Sequence, residues 1–142
     1  MDTEVVPVVA EADRKEALAI RLQVFVAEQG VPVELELDEL DEGAEHFLAR
    51  MGGAPVGTVR MVRRDGVAVL GRLAVLSEAR GTGLGAALVR AVEGRAREVG
   101  LGSVELHAQT AVRAFYERLG YVAFGVEDVE AGIPHVWMRR VL

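Results

Sequence analysis

The chain has 142 residues, 51% hydrophobic and 27% charged, with a formal net charge of −6 and no cysteine. This is long enough for one domain with a real core, and it excludes a disordered chain, disulfides, thiolate zinc sites and a cysteine nucleophile. The acidic balance argues against non-specific nucleic-acid binding, no apolar run is long enough for a membrane span, and Met1-Asp2-Thr3-Glu4 lacks the basic-then-apolar pattern of a secretory signal, so a cytoplasmic location is expected. In chain order, Glu4–Val9 reads as a short strand. Lys15–Glu28 has helical spacing, with Asp13 as N-cap and Gly30 and Pro32 as stops. Residues 33–43 carry Glu34, Glu36, Asp38, Glu39, Asp41 and Glu42, with Val33, Leu35 and Leu37 alternating between them. This segment reads as a short strand or an irregular loop. Glu45–Met51, Ala54–Val62 and Val67–Leu76 read as strands joined by Gly52-Gly53 and Asp65-Gly66, an antiparallel meander. Ala86–Val99 is an amphipathic helix with Glu93 outward, ended by Gly100 and Gly102. Ser103–His107 is a strand, and Thr110 caps a short helix whose packing face is Val112, Phe115 and Leu119. Tyr121–Val126 and Val136–Leu142 close the chain as strands, with Glu127–His135 between them. The pattern predicts a single α/β domain over residues 1–142, with a mixed, mostly antiparallel sheet flanked by helices.

The segment with most chemical content is Arg80-Gly81-Thr82-Gly83-Leu84-Gly85, between the apolar strand Gly71–Leu76 and the helix. A strand, a glycine-rich turn and a helix start aim backbone N–H groups and the positive end of a helix dipole at one point, which suits a phosphate. A simple tight turn explains the three alternate glycines poorly, because they cost backbone entropy with no packing return. Gly81-x-Gly83-x-x-Ala86 also satisfies the dinucleotide pattern G-x-G-x-x-G/A, with Glu105 on the next strand. The context opposes that reading. Antiparallel hairpins precede the loop, Ser77-Glu78-Ala79-Arg80 separates strand from glycines, and too few residues follow for a second half-domain.

Arg80-Gly81-Thr82-Gly83-Leu84-Gly85 resembles the [Q/R]-x-x-G-x-[G/A] signature of the Gcn5-related N-acetyltransferases (GNAT). Leu73-Ala74-Val75 resembles that family's apolar strand, whose backbone pairs with the pantetheine arm. Ala114-Phe115-Tyr116-Glu117-Arg118-Leu119-Gly120-Tyr121 resembles its F-Y-x-x-x-G-[F/Y] ending. Within the family, Val24-Phe25-Val26-x-Glu28-Gln29-x-Val31-Pro32, Glu36-x-Asp38-x-x-Asp41-x-x-Ala44-x-His46, Leu106-His107-Ala108-Gln109 and Gly132-Ile133-Pro134-His135 are similar to the bacterial ElaA-like branch. Two positions depart from the pattern. Ser77 stands where many members have proline, and Ala111 stands where many have an asparagine that contacts the coenzyme.

The resemblance implies an acetyl-CoA-dependent N-acetyltransferase. Its donor would be held by Leu73, Ala74, Val75, Arg80, Gly81, Thr82, Gly83, Leu84, Gly85, Ala86 and Tyr116, with a backbone N–H near Val75 on the thioester carbonyl. The acceptor would be the amine of a small molecule or peptide, taken without a metal; neither nucleic acid nor membrane is a partner, and a homodimer is compatible with the family. Tyr116, just off the Val112–Phe115–Leu119 face, is the expected acid for the leaving thiolate, against the plainer reading of a core tyrosine. His107 leads as general base, ahead of His46 and His135, with the carboxylates of Glu36 and Asp38 competing. The acidic segment is either a lure for a cationic acceptor or a solvated loop. No H-x-x-x-H spacing is present, so no metal site is expected. A non-catalytic acyl-CoA-binding or sensor module on the same fold is the alternative to an enzyme.

Overall fold

The computed structural model describes residues 2–142. Its first strand, β1 (Thr3–Pro7), lies antiparallel to β2 (Glu45–Met51). Between them run α1 (Glu11–Arg21), a π-helical continuation over Leu22–Glu28, and the single helical turn α2 (Val33–Glu36). β3 (Ala54–Arg64) and β4 (Val67–Val75) complete the expected meander. Both of its turns depend on left-handed backbone: φ is 58° and 84° at Gly52 and Gly53, and 51° and 78° at Asp65 and Gly66. That is the geometry two-residue hairpins need to match strand twist. α3 (Leu84–Glu98), β5 (Ser103–Gln109), α4 (Arg113–Arg118), β6 (Val122–Glu130) and β7 (Ile133–Val141) follow.

One seven-stranded sheet results, in the order β1-β2-β3-β4-β5-β7-β6, with β4 and β5 its one parallel pair. Apolar side chains alternate to both faces. On one face Leu88, Val89, Val92 and Ala96 of α3 pack over Ala49, Met61, Leu106 and Met138. On the other, Ala17, Ile20 and Val24 cover Leu48 and Ala74. The expected α/β sheet flanked by helices is therefore the observed one.

Four local expectations change. The first helix starts at Glu11 after Ala10, not under an Asp13 cap; Asp13 sits in the first turn and accepts a 2.8 Å bond from Arg50. Thr110 opens a 3₁₀ turn, Thr110–Val112, and caps nothing. Residues 33–41 form α2 and a 3₁₀ turn at Glu39–Asp41, not a strand, because their backbone is set by buried ionic contacts rather than by Val-Leu alternation. Glu93, expected outward, is fully buried and accepts from Arg90, Tyr121 and Arg140 at 2.7, 2.8 and 2.6 Å. Although burial raises its carboxyl, these three donors hold it below the usual carboxylate range.

The feature that positions the site is where β4 and β5 separate. Their pairing covers Val67–Leu70 against Ser103–Leu106 and goes no further. Beyond it β4 bulges: Arg60 faces Gly71 while Thr58 faces Ala74, so β4 carries one extra residue, and Arg72 takes φ of 54°. A bulge bends its strand away from its neighbour. β5 meanwhile continues to Gln109 along β7. A gap opens between Gly71–Val75 and His107–Gln109, leaving strand-edge amide groups unpaired on both sides.

Candidate active site

One end of the gap is the glycine loop. Gly81 and Gly83 have φ of 79° and 85°, and a Cβ on either would meet nothing within 4 Å. Backbone conformation, not space, therefore requires glycine there. Gly83 is the N-cap of α3 and no side chain caps that helix, so the first N–H groups of α3, at Leu84, Gly85 and Ala86, are free to bind an anion beside those of the loop. Thr82 closes the loop by donating its hydroxyl to the Ala79 carbonyl. Arg80 donates Nε to the Val75 carbonyl at 2.9 Å and Nη2 to Glu28 at 2.8 Å. Two of its five donors thus latch the loop to β4 and to the end of the first helix, and three remain. Gly83→Val removes the left-handed conformation at a cost of about 1–2 kcal/mol. The free loop relaxes; if it holds the expected donor, binding must restore it, and the dissociation constant for acetyl-CoA should rise about tenfold. Calorimetric titration reads this, with a melting temperature close to that of the parent.

Gly85 connects the loop to α4. A Cβ there would lie 3.3 Å from the Phe115 ring, so glycine lets Phe115 seat against the helix start and carries Tyr116 with it. The expected packing face of α4 holds at Phe115 and Leu119, which pack against the core, and fails at Val112. Val112 is exposed, and Tyr116 is the buried residue, with its ring edge-on to Phe115 and Tyr121 at 5.0 and 6.0 Å. Burial alone pushes the Tyr116 phenol above its ordinary range, with no hydrogen bond contributing. It stays protonated at every working pH, a donor not consumed by the fold.

Across the gap, alternation along β5 puts Leu106 and Ala108 in the α3 core and turns His107 and Gln109 to the opposite face. His107 is the first residue past the parallel pairing. Its ring lies between His135 and Trp137 at 4.6 and 4.9 Å, and its Nε2 and Nδ1 face Asp128 and Glu130 at 2.7 and 3.2 Å. β6 and β7 produce this arrangement. They extend through the expected loop to a two-residue turn at Ala131-Gly132, with φ of 52° and 76°. His46 lies apart: it is buried on β2 with Nε2 on the Asp41 carbonyl at 3.0 Å, and desolvation lowers its pKa, so it is a structural group. Gln109 donates to Gln29 at 2.9 Å, bridging β5 to the end of the first helix.

A family model described as an acetyltransferase (GNAT) domain matches residues 9–142. The chain belongs to the GNAT acetyltransferases. It is 40% identical over 131 residues, 92% of this chain and 94% of the relative, to YjcF of Bacillus subtilis, an uncharacterized N-acetyltransferase. Among solved structures it is similar to an acyl-CoA N-acyltransferase from Pseudomonas aeruginosa, with a TM-score of 0.87, 31% identity, and 98% and 99% of the two chains covered. It is likewise similar to Escherichia coli ElaA, with a TM-score of 0.87, 25% identity and the same coverage. The protein is accordingly an acyltransferase enzyme, and no helix among the described residues is long and apolar enough to cross a membrane.

In this GNAT domain half of the acidic segment's carboxylates are tied into ion pairs rather than solvated. Arg21 donates Nε to Glu36 at 2.7 Å and Nη1 to Asp41 at 2.7 Å. Arg60 donates to Asp38 and Asp41 at 2.6 and 2.9 Å, and Arg72 reaches Glu36 and Asp38, both at 3.1 Å. Three arginines neutralise three carboxylates, leaving Glu34, Glu39 and Glu42 exposed. Glu36 is 3% exposed and both its oxygens are engaged, which withdraws it, and Asp38 with it, as a candidate base. Burial opposes ionisation of Asp41, but the bonds from Arg21 and Arg60 prevail and hold its carboxyl at about 2. In the unfolded chain it protonates near its ordinary value, so its contribution is present above pH of about 4 and is lost as pH falls toward about 2. Asp41→Asn should cost about 2 kcal/mol in urea unfolding at pH 7 and flatten the loss of stability across that acid window.

Proposed function

We propose that this enzyme transfers an acetyl group from acetyl-CoA directly to a primary amine. The observation that carries the reading is the splayed β4–β5 gap, with the glycine loop following β4 and His107 at the first position of β5 past the pairing; Tyr116 is assigned to the same site through the contact of its neighbour Phe115 with Gly85. The loop N–H groups and Arg80 hold the pyrophosphate of the donor. The open edge Leu73–Val75 pairs with the amides of the pantetheine arm, and an N–H near Val75 polarises the thioester carbonyl. His107 takes the proton of the incoming ammonium, with Asp128 orienting its ring through Nε2–H. The amine nitrogen then bonds to the carbonyl carbon, the C–S bond breaks, and the thiolate leaves with the Tyr116 hydroxyl donating to it; the second proton, shed by the nitrogen as it becomes an amide, neutralises the thiolate to the free thiol of coenzyme A. With no cysteine in the chain, no acetyl-cysteine intermediate intervenes.

Thiol release from acetyl-CoA across a panel of polyamines, aminoglycosides and peptide amines tests the reading. Amine-dependent release that yields the N-acetyl product supports it, and His107→Ala should lower the rate about 10²-fold for every accepted amine. Tight acetyl-CoA binding with no acylation of any amine would leave a binding module.

A further inference from the structure

The turn at Ala131-Gly132 assembles a group of side chains that neither cradle nor acid segment uses. His107, Glu130 and His135 each offer one ligand atom within 4.8 Å of the other two. Strand register creates the group. His135 faces Gln109 across β7–β5 and Asp128 across β7–β6, so its ring stacks on His107 at 4.6 Å. The expectation of no metal site rested on spacing along the chain, and pairing of strands makes that spacing irrelevant.

The tautomers follow from the outer contacts. The Nδ1 atom of His135 meets the Ile133 carbonyl at 2.7 Å. A carbonyl only accepts, so Nδ1 carries the hydrogen and Nε2 carries a lone pair. That Nε2 lies 3.7 Å from a Glu130 carboxylate oxygen. The Nε2 atom of His107 faces Asp128 at 2.7 Å, while its Nδ1 faces the same Glu130 oxygen at 3.2 Å. When Nε2–H of neutral His107 donates to Asp128, Nδ1 is a second lone pair. Two imidazole lone pairs and a carboxylate oxygen then lie within 4.8 Å of one another with no hydrogen between them, and a modest turn of the stacked rings lets a cation satisfy all three. The outer partners, Asp128 and the Ile133 carbonyl, are the kind that orient histidine ligands around a metal.

We propose that His107 Nδ1, His135 Nε2 and the Glu130 carboxylate form a binding site for a divalent transition-metal ion of the zinc class. Bonds of about 2.0–2.1 Å in tetrahedral geometry place ligand atoms about 3.4 Å apart. The observed 3.2 and 3.7 Å bracket that separation. Glu130 is largely exposed, at 59%, so it can close the remaining distance, whereas His135 is held at 9% exposure. Two imidazoles favour zinc, copper, nickel or cobalt over calcium and magnesium, which take oxygen ligands. Three protein ligands leave a fourth position open on the face of the sheet that His107 shares with the gap. An ion bound there occupies the lone pair assigned above to proton removal, so it inhibits acetyl transfer. That consequence rests on the proposed role of His107; the binding itself does not.

The test is cobalt(II) titration of chelator-treated, tag-free protein. Saturable ligand-field absorption at one ion per chain is expected, together with quenching of the fluorescence of Trp137, the one tryptophan in the chain, whose ring lies 4.9 Å from His107. Zinc should displace the cobalt, and His135→Ala and Glu130→Gln should each weaken binding tenfold or more with unchanged circular dichroism. No saturable band, or equal binding by both variants, overturns the site. Zinc inhibition of the wild type is then measured with an accepted amine. Stoichiometric binding without inhibition would keep the site and remove His107 as base.

Discussion

Tyr116→Phe lowers kcat by about 10²-fold or more, while the dissociation constant for acetyl-CoA stays within about twofold. The ring is part of the core, edge-on to Phe115 and Tyr121, and phenylalanine keeps that packing. The hydroxyl is what disappears, and the fold does not consume it: burial accounts for its raised pKa without any hydrogen bond. A phenol held this firmly does not surrender its proton completely to a thiolate. It donates a hydrogen bond as negative charge grows on sulfur, and such donation is stronger in the transition state than in the ground state. Hence the loss falls on kcat and not on donor affinity. Single-turnover thiol release beside calorimetric binding separates the two. A full kcat in the variant would return Tyr116 to the core as an ordinary aromatic.

Arg21→Ala destabilises the fold by about 3–5 kcal/mol, the largest expected effect on stability. The guanidinium is 4% exposed and its principal partner Glu36 is 3% exposed, so removal strands a buried carboxylate with Arg72 as its remaining ion-pair contact and Arg60 further off. Burial already pushes Glu36 upward against the pull of Arg21 and Arg72, so the balance is narrow. Adding Glu36→Gln in the Arg21→Ala background should recover a substantial part of the loss, because the unpaired charge disappears. Denaturant unfolding of the two single variants and the double variant gives the coupling. Additive losses would mean that the pair is not energetically linked.

Much of this was legible in the chain. Alternation and paired turn residues marked the meander, and Arg80–Gly85 marked the glycine turn that opens α3, because each depends on residues adjacent in sequence. The face of α4 was legible at Phe115 and Leu119 but not at its ends. Val112 lies in a 3₁₀ turn, with three residues per turn instead of 3.6, so it falls out of line with that face, and the burial of Tyr116 beside it was not read. The neutralisation of the acidic segment was hidden because Arg21, Arg60 and Arg72 lie far along the chain from the carboxylates they hold. The histidine cluster was hidden because it depends on register across β5, β7 and β6, where a shift of one residue would turn His135 to the opposite face. The bulge at Arg72 left only a weak trace, the adjacent Gly71.

Arg72 ties two parts of the fold together. The residue bends β4 at the gap and, with the same side chain, grips Glu36, Asp38 and the Leu35 carbonyl of the neighbouring segment. A transplanted 33–41 segment with different anchors would therefore disturb the free edge of β4 as well as its own surface. Substitutions that spare that edge fall on side chains the arginines leave alone. Those are Glu34 and Glu39, and the apolar Val33, Leu35, Leu37 and Leu40, which stand 37–54% exposed along the segment.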